Sequence, residues 1–186
     1  MYQAKGRWEN KLNNLKKNRI GILGGSFDPA HSGHLTISKV AKKKLKLKKI
    51  IWAITKRNPF KKQSQVSLST RIKYCKKIIG RNIYIKVKFY EEMIKSNKTI
   101  NLIKYFKKNK NNEIYFLMGA DNLINFHKWN KWKEISKKCN IVVFDRHGYK
   151  KKSLNSITFK RLNKKNLKFI EFNKVNISSS QLRKIW

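Results

Sequence analysis

Two histidines three residues apart, His31 and His34, are the side chains in this sequence best placed to do chemistry. Upstream lie a glycine pair, Gly24-Gly25, and the turn formers Ser26, Asp28 and Pro29. Downstream, apolar residues recur with helical spacing at Leu35, Ile37, Val40, Ala41 and Leu45. This order suits the binding of an anion. The first turn of a helix has backbone N–H groups without partners and a positive partial charge. Glycines remove the Cβ atoms that would hold those amides away from phosphate oxygens. Imidazoles at i and i+3 share a helix face and can both donate to the same ligand. The spacing therefore fits a polyphosphate. Each part alone has a plainer reading, a glycine turn or an inert surface histidine. A metal site is a third reading, but the two histidines alone make a poor one.

Further candidates follow other apolar runs. Thr55 ends the run Ile50–Ile54 and opens the basic loop Lys56–Lys62, which includes Lys61. Asp121 follows Glu113–Met118 through Gly119-Ala120, where it could accept from ribose hydroxyls or cap the next helix. Trp129 and Trp132 come next, with Trp132 and Ile135 spaced as core residues. Arg146 follows the run Asn140–Asp145. Ser178-Ser179-Ser180 with Arg183 one turn later forms a second anion-binding helix start or, taken alone, an ordinary N-cap.

These residues need a scaffold of alternating strands and helices. Ile20–Leu23 is too short for a helix and is bounded by glycines, so it reads as a buried strand. The spacing predicts a helix over about 33–47, a strand over 50–55 and a helix over 67–79 capped by Ser67 or Ser69 and carrying Arg71. A strand over 82–89 alternates Ile83, Ile85, Val87 and Phe89, and a helix runs from Ser96–Thr99 to about Lys108. Strands over 113–118, 140–145 and 168–172 complete the pattern. The basic, Asn-rich stretch 150–165 gives no clear element. The expectation is a doubly wound α/β fold with a mostly parallel sheet, in which strand–helix–strand crossovers are right-handed.

The length of 186 residues suits a single domain over 19–186, preceded by an extension over 1–18 that carries Trp8. No segment approaches the roughly 18 apolar residues needed to cross a bilayer. The polar, basic start lacks the apolar core of a secretory signal. The expectation is a cytoplasmic protein without membrane attachment, with Cys75 and Cys139 as reduced core thiols. The net charge of +38 points toward nucleic acid, yet only eight of the 47 basic residues are Arg, the residue favoured for bidentate readout. Lysine is spread through every segment among abundant Asn and Ile, which reads as compositional bias at solvent positions. The expectation is no specific nucleic-acid partner. The oligomeric state stays open, a homo-oligomer included.

The run Gly24-Gly25-Ser26-Phe27-Asp28-Pro29-x-His31-x-Gly33-His34 resembles the signature of the nucleotidyltransferase superfamily that transfers AMP from ATP and keeps an HxGH motif. Gly119-Ala120-Asp121-Asn122-Leu123 followed by Phe126-His127-x-Trp129-x-x-Trp132-x-x-Ile135 is similar to the nicotinate-nucleotide adenylyltransferases. Ile177-Ser178-Ser179-Ser180-x-Leu182-Arg183 resembles that family's third motif, with Ser180 in place of threonine. Two further positions depart from the pattern, Lys98 in the Ser96–Thr99 segment and His147 after Arg146. The resemblance implies a Rossmann-like fold and transfer of an adenylyl group from ATP, accompanied by Mg²⁺, to nicotinate mononucleotide. It implies that His31, His34 and Arg183 are catalytic, and that Gly24, Gly25, Ser26, Phe27, Gly33, Asp121, Ser179 and Ser180 bind ATP. It further implies that Thr55, Lys61, Thr99, Trp129 and Arg146 bind the mononucleotide, with no resident metal ligands. The alternatives are another HxGH adenylyltransferase, such as a phosphopantetheine adenylyltransferase, and a non-catalytic basic nucleic-acid-binding protein.

Overall fold

A computed structural model describes residues 17–58, 64 and 66–171. Among these residues six strands form one sheet: β1 (Asn18–Gly25), β2 (Lys49–Ile54), β3 (Ile85–Phe89), β4 (Asn112–Gly119), β5 (Asn140–Phe144) and β6 (Leu167–Ile170). All neighbouring pairs are parallel and the order is β3-β2-β1-β4-β5-β6. The order reverses between β1 and β4. That reversal is the switch point where open α/β sheets bind ligands, outside the carboxyl ends of the strands.

Among the described residues seven helices join the strands: α1 (Ser32–Leu45), α2 (Leu68–Ile79), α3 (Thr99–Lys107), α4 (Ala120–Asn125), α5 (Trp132–Lys138), α6 (Lys150–Leu154) and α7 (Ile157–Arg161). The period-2 alternation of each central strand supplies two cores. On one face Leu23, Leu47, Trp52 and Leu117 meet Ala41 of α1 and Cys75 of α2. On the other, Ile20, Ile22, Phe116 and Met118 meet Ile100 and Ile103 of α3, Leu123 of α4 and Ile135 of α5. Strands buried on both faces read as continuous apolar runs, which is why β1, β2, β4 and β5 were visible in the sequence. In mid-β1 the side chains of neighbouring leucines close over residue 21, which is glycine. A Cβ there would lie 2.8 Å from Leu47 Cδ1 and 3.3 Å from Leu117 Cδ1.

Three expectations change. The third strand begins at Ile85 rather than Asn82, and Ile83 is 93% exposed in the preceding turn. The stretch 150–165 is not featureless, since it forms α6, α7 and the start of a 3₁₀ turn (Lys164–Asn166). The last strand lies at Leu167–Ile170, two residues before the expected end. Both cysteines are buried free thiols, and burial pushes each up to about 12, so neither is a reactive thiolate. Among the described residues no helix is long and apolar enough to cross a membrane.

Candidate active site

The turn after β1 brings the two histidines to the start of α1, where each does two jobs. His31 is the N-cap, and its Nδ1 accepts the Gly33 N–H at 3.2 Å. His34 reaches back so that its Nδ1 accepts the His31 N–H, also at 3.2 Å. This is a capping box built from two imidazoles, with ring centroids 4.0 Å apart. A nitrogen that accepts must hold a lone pair, so the proton of each neutral ring sits on Nε2. The helix entrance thus presents two ring N–H donors held by their own backbone. The same tautomer makes the pair a poor metal site, because no Nε2 lone pair is offered. Among the described residues no group of three or more His, Cys, Asp or Glu could hold a metal ion.

An aromatic wall backs the histidines. Phe27 has a left-handed φ of 49°, uncommon for a bulky residue, and its ring stacks on Trp52 of β2 at 5.0 Å and 16°. His34 packs against both rings, 4.8 Å from Phe27 and 5.9 Å from Trp52. The Trp52 indole N–H donates to Ser38 Oγ at 2.8 Å, and that hydroxyl donates to the His34 carbonyl at 2.9 Å. Trp52 and Ser38 are fully buried.

Among the described residues, several other sequence candidates follow the carboxyl ends of the strands. Gly24 and Gly25 close β1. Thr55 follows β2 and donates its N–H to the Gly25 carbonyl at 3.0 Å, while its hydroxyl donates to the Glu91 carboxylate. Thr99 opens α3 after β3, with Ser96 Oγ accepting the Lys98 N–H at 3.1 Å. Asp121 stands at the second position of α4 and forms an ion pair with Arg146 rather than capping the helix. Two candidates 25 residues apart therefore meet, because β4 and β5 are adjacent and each residue follows its strand's end. The Asp121 carboxylate turns back over Gly119, where a Cβ would lie 2.5 Å from Oδ1.

Trp129 is half-buried and packs edge-on to Phe126 at 5.3 Å and Phe116 at 6.0 Å. Trp132 is likewise half-buried, 6.2 Å from Phe126. Both indoles lean on the same core cluster, so spacing alone did not separate a ligand-facing ring from a structural one. His127 is structural: its N–H donates to Thr158 Oγ1 at 3.1 Å, tying the turn after α4 to α7. Lys61, Ser179, Ser180 and Arg183 lie outside the described residues.

Sequence reasoning placed Arg71 on the helix over 67–79 without a role in the site, and did not single out Glu91. Arg71 had a signal, because it falls on the apolar stripe of α2 with Ile72, Cys75 and Ile79. Glu91 had none, being brought to Thr55 by a turn after β3.

Comparison with known proteins closes the question of family. A model of cytidylyltransferase-like proteins matches residues 22–185. A probable nicotinate-nucleotide adenylyltransferase of Pelagibacter ubique is 70% identical over 177 residues, 95% of this chain and 98% of that protein. The chain belongs to the nicotinate-nucleotide adenylyltransferase family. A more distant probable nicotinate-nucleotide adenylyltransferase, from Agrobacterium fabrum, is 39% identical over 131 residues, 69% of this chain and 70% of the relative. In fold, the chain resembles the Plasmodium falciparum nicotinic acid mononucleotide adenylyltransferase complexed with NaAD. The TM-score is 0.75 at 22% identity, over 90% of this chain and 83% of that one. At that identity the likeness is one of architecture, and it agrees with the doubly wound sheet expected for a nicotinate-nucleotide adenylyltransferase.

Proposed function

We propose that the β1–α1 turn is the seat of adenylyl transfer, with the His31 and His34 Nε2–H groups as the phosphate-facing donors. As a member of its family, the chain transfers the adenylyl group of ATP to nicotinate mononucleotide, giving deamido-NAD and pyrophosphate in NAD biosynthesis. The observation that carries the site reading is the paired capping geometry, in which both Nδ1 atoms accept backbone N–H groups. It turns two flexible side chains into preorganised donors.

The chemistry asks little else of the protein. A phosphate oxygen of the mononucleotide attacks the α-phosphorus of ATP, a new P–O bond forms, and the bond to the bridging oxygen breaks. Pyrophosphate carries away the electron pair. The attacking phosphate is largely dianionic near neutral pH, so no general base is needed, and catalysis reduces to positioning and charge stabilisation. His34 Nε2–H faces the α-phosphate and leaving oxygen, and His31 Nε2–H the neighbouring phosphate. Gly24, Gly25, Ser26, Phe27 and Gly33 shape the turn around ATP. The Gly33 amide supports this indirectly, through His31. When bound with ATP, Mg²⁺ supplies counter-charge to the phosphates. Ser179, Ser180 and Arg183 take the outer phosphates, Asp121 the ATP ribose, and Thr55, Lys61, Thr99, Trp129 and Arg146 the mononucleotide.

A coupled assay of pyrophosphate release tests the reading, run with ATP and either nicotinate or nicotinamide mononucleotide. Release with neither would refute it. The Trp129 assignment predicts that Trp129→Ala weakens mononucleotide binding by about tenfold, since aromatic pairing adds roughly 0.5–1.5 kcal/mol beyond lost area. Trp132→Ala should lower Tm while leaving the mononucleotide KM unchanged, and exchanged phenotypes would assign the pocket to the other indole.

The charge of +38 gives the nucleic-acid reading its one specific support. If the lysines are a solvated surface, binding to random duplex is weak and collapses by about 10³-fold or more between roughly 50 and 200 mM salt. Turnover should fall far less over that range, because screening is weaker inside a cleft. Sequence-selective binding that survives the higher salt would favour the nucleic-acid function instead.

A further inference from the structure

Among the described residues Arg71 is the only buried arginine, 3% exposed beneath the carboxyl ends of β1 and β2. Its side chain leaves α2 and reaches the ends of two strands. Nη1 donates to the Ser26 carbonyl at 2.6 Å and the Thr55 carbonyl at 2.8 Å, and Nη2 donates to the Lys56 carbonyl at 3.1 Å. One planar fork therefore holds the turn after β1 and the loop after β2 in a fixed mutual orientation. A lysine could not do so, having a single nitrogen on a flexible stem.

The surroundings favour a purpose beyond packing. Burial lowers the Arg71 pKa, and the nearby Asp28, Cys75 and Glu91 oppose that shift. Glu91 also accepts the Thr55 hydroxyl, so Thr55 is gripped through its backbone by Arg71 and through its side chain by Glu91. Arg71 Nε is a buried atom without a hydrogen-bond partner. A buried charge with one donor unmatched is a costly way to fill space that an apolar side chain would fill at less cost.

We propose that Arg71 is a positioning residue that locks the Ser26 turn to the end of β2 and thereby fixes the separation of the two reacting phosphates. The proposal rests on the reading that the first loop seats ATP and the second the mononucleotide. A misplacement of about 1 Å between reactants can cost on the order of 10²-fold in rate. Loosening the fork should therefore appear in kcat rather than in either substrate's affinity.

The test compares Arg71→Lys with Cys75→Ala, which removes a fully buried side chain one turn further along α2 and serves as a packing control. For each variant kcat, the KM for ATP and the KM for nicotinate mononucleotide are measured at a temperature where circular dichroism shows it folded. Arg71→Lys should lose about 10²-fold in kcat with both KM values within about threefold, while Cys75→Ala keeps kcat within about twofold even at an equal fall in Tm. If Arg71→Lys does not fold, Arg71→Ala is assayed with sub-denaturing guanidinium or ethylammonium. Recovery with guanidinium alone supports the fork, and recovery with both or neither overturns it. Near-wild-type kcat in Arg71→Lys, an equal loss in Cys75→Ala, or an effect confined to one KM also overturns the proposal. Wild-type protein that releases no pyrophosphate from ATP and the mononucleotide fails earlier and removes the site reading along with it.

Discussion

Replacing His34 by alanine should lower turnover by about 10²–10³-fold, the usual cost of deleting one preorganised donor to a developing negative charge. The structure adds a second, smaller effect. His34 Nδ1 accepts the His31 N–H, so the variant also loses half of the cap on α1, worth about 0.5–2 kcal/mol. At this chain length that is a fall in Tm of a few degrees, roughly 2–4 °C per kcal/mol. The two effects separate at His31. Asparagine there retains an acceptor for the Gly33 amide but has no ring N–H to reach the ligand. His31→Asn should therefore keep most of the stability and lose much of the rate. Steady-state pyrophosphate release and a thermal melt on the two variants are sufficient. Wild-type turnover in His34→Ala would remove the imidazoles from the chemistry.

The sequence and the structure agree most closely where physical signals are local. The strands that carry the site are apolar on both faces, and β1 and β4 end in glycine, so β1, β2, β4 and β5 were legible. The strand over 82–89 misled because alternation continues one step too far. Gly80 ends α2, and Asn82 donates its side-chain amide to the Ile79 carbonyl, so the chain is still turning when it passes Ile83. The stretch 150–165 hid two short helices under a uniform lysine and asparagine composition. Its readable marks were two caps, Ser156, which accepts the Phe159 N–H at 3.2 Å to start α7, and Asn163, which accepts the Lys165 N–H at 2.9 Å to start the 3₁₀ turn.

Within the site, residue types and order could be read, but partnerships could not. Nothing local says that Asp121 meets Arg146, that Glu91 takes the Thr55 hydroxyl, or that an arginine on the apolar stripe of α2 will reach three carbonyls on two other loops. Each depends on which strand ends lie side by side, a consequence of the order β3-β2-β1-β4-β5-β6. The tautomer of the histidines is non-obvious for a related reason. It follows from cap geometry that exists only once α1 starts at Ser32.

The contact between Trp52 and Ser38 is another such partnership, and it carries the largest expected effect on stability. Trp52 is fully buried, so Trp52→Ala should cost about 3–5 kcal/mol, counting lost transfer energy and the cavity left behind. Ser38→Ala removes few atoms yet leaves the indole N–H buried without an acceptor, a loss of about 1–3 kcal/mol. The informative variant is the pair. Trp52→Phe keeps a ring to stack on Phe27 but has no N–H, so the Ser38 hydroxyl is no longer needed as its acceptor. Trp52→Phe with Ser38→Ala should then be less destabilised than the sum of the single changes by about 1 kcal/mol, within the range seen for contacting residues. Urea unfolding of the four proteins closes the cycle. Strict additivity would mean that the indole finds another acceptor when the hydroxyl is gone. Coupling of the expected size would mean that the wall behind His34 is held by one hydroxyl, which accepts from β2 and donates to the first turn of α1.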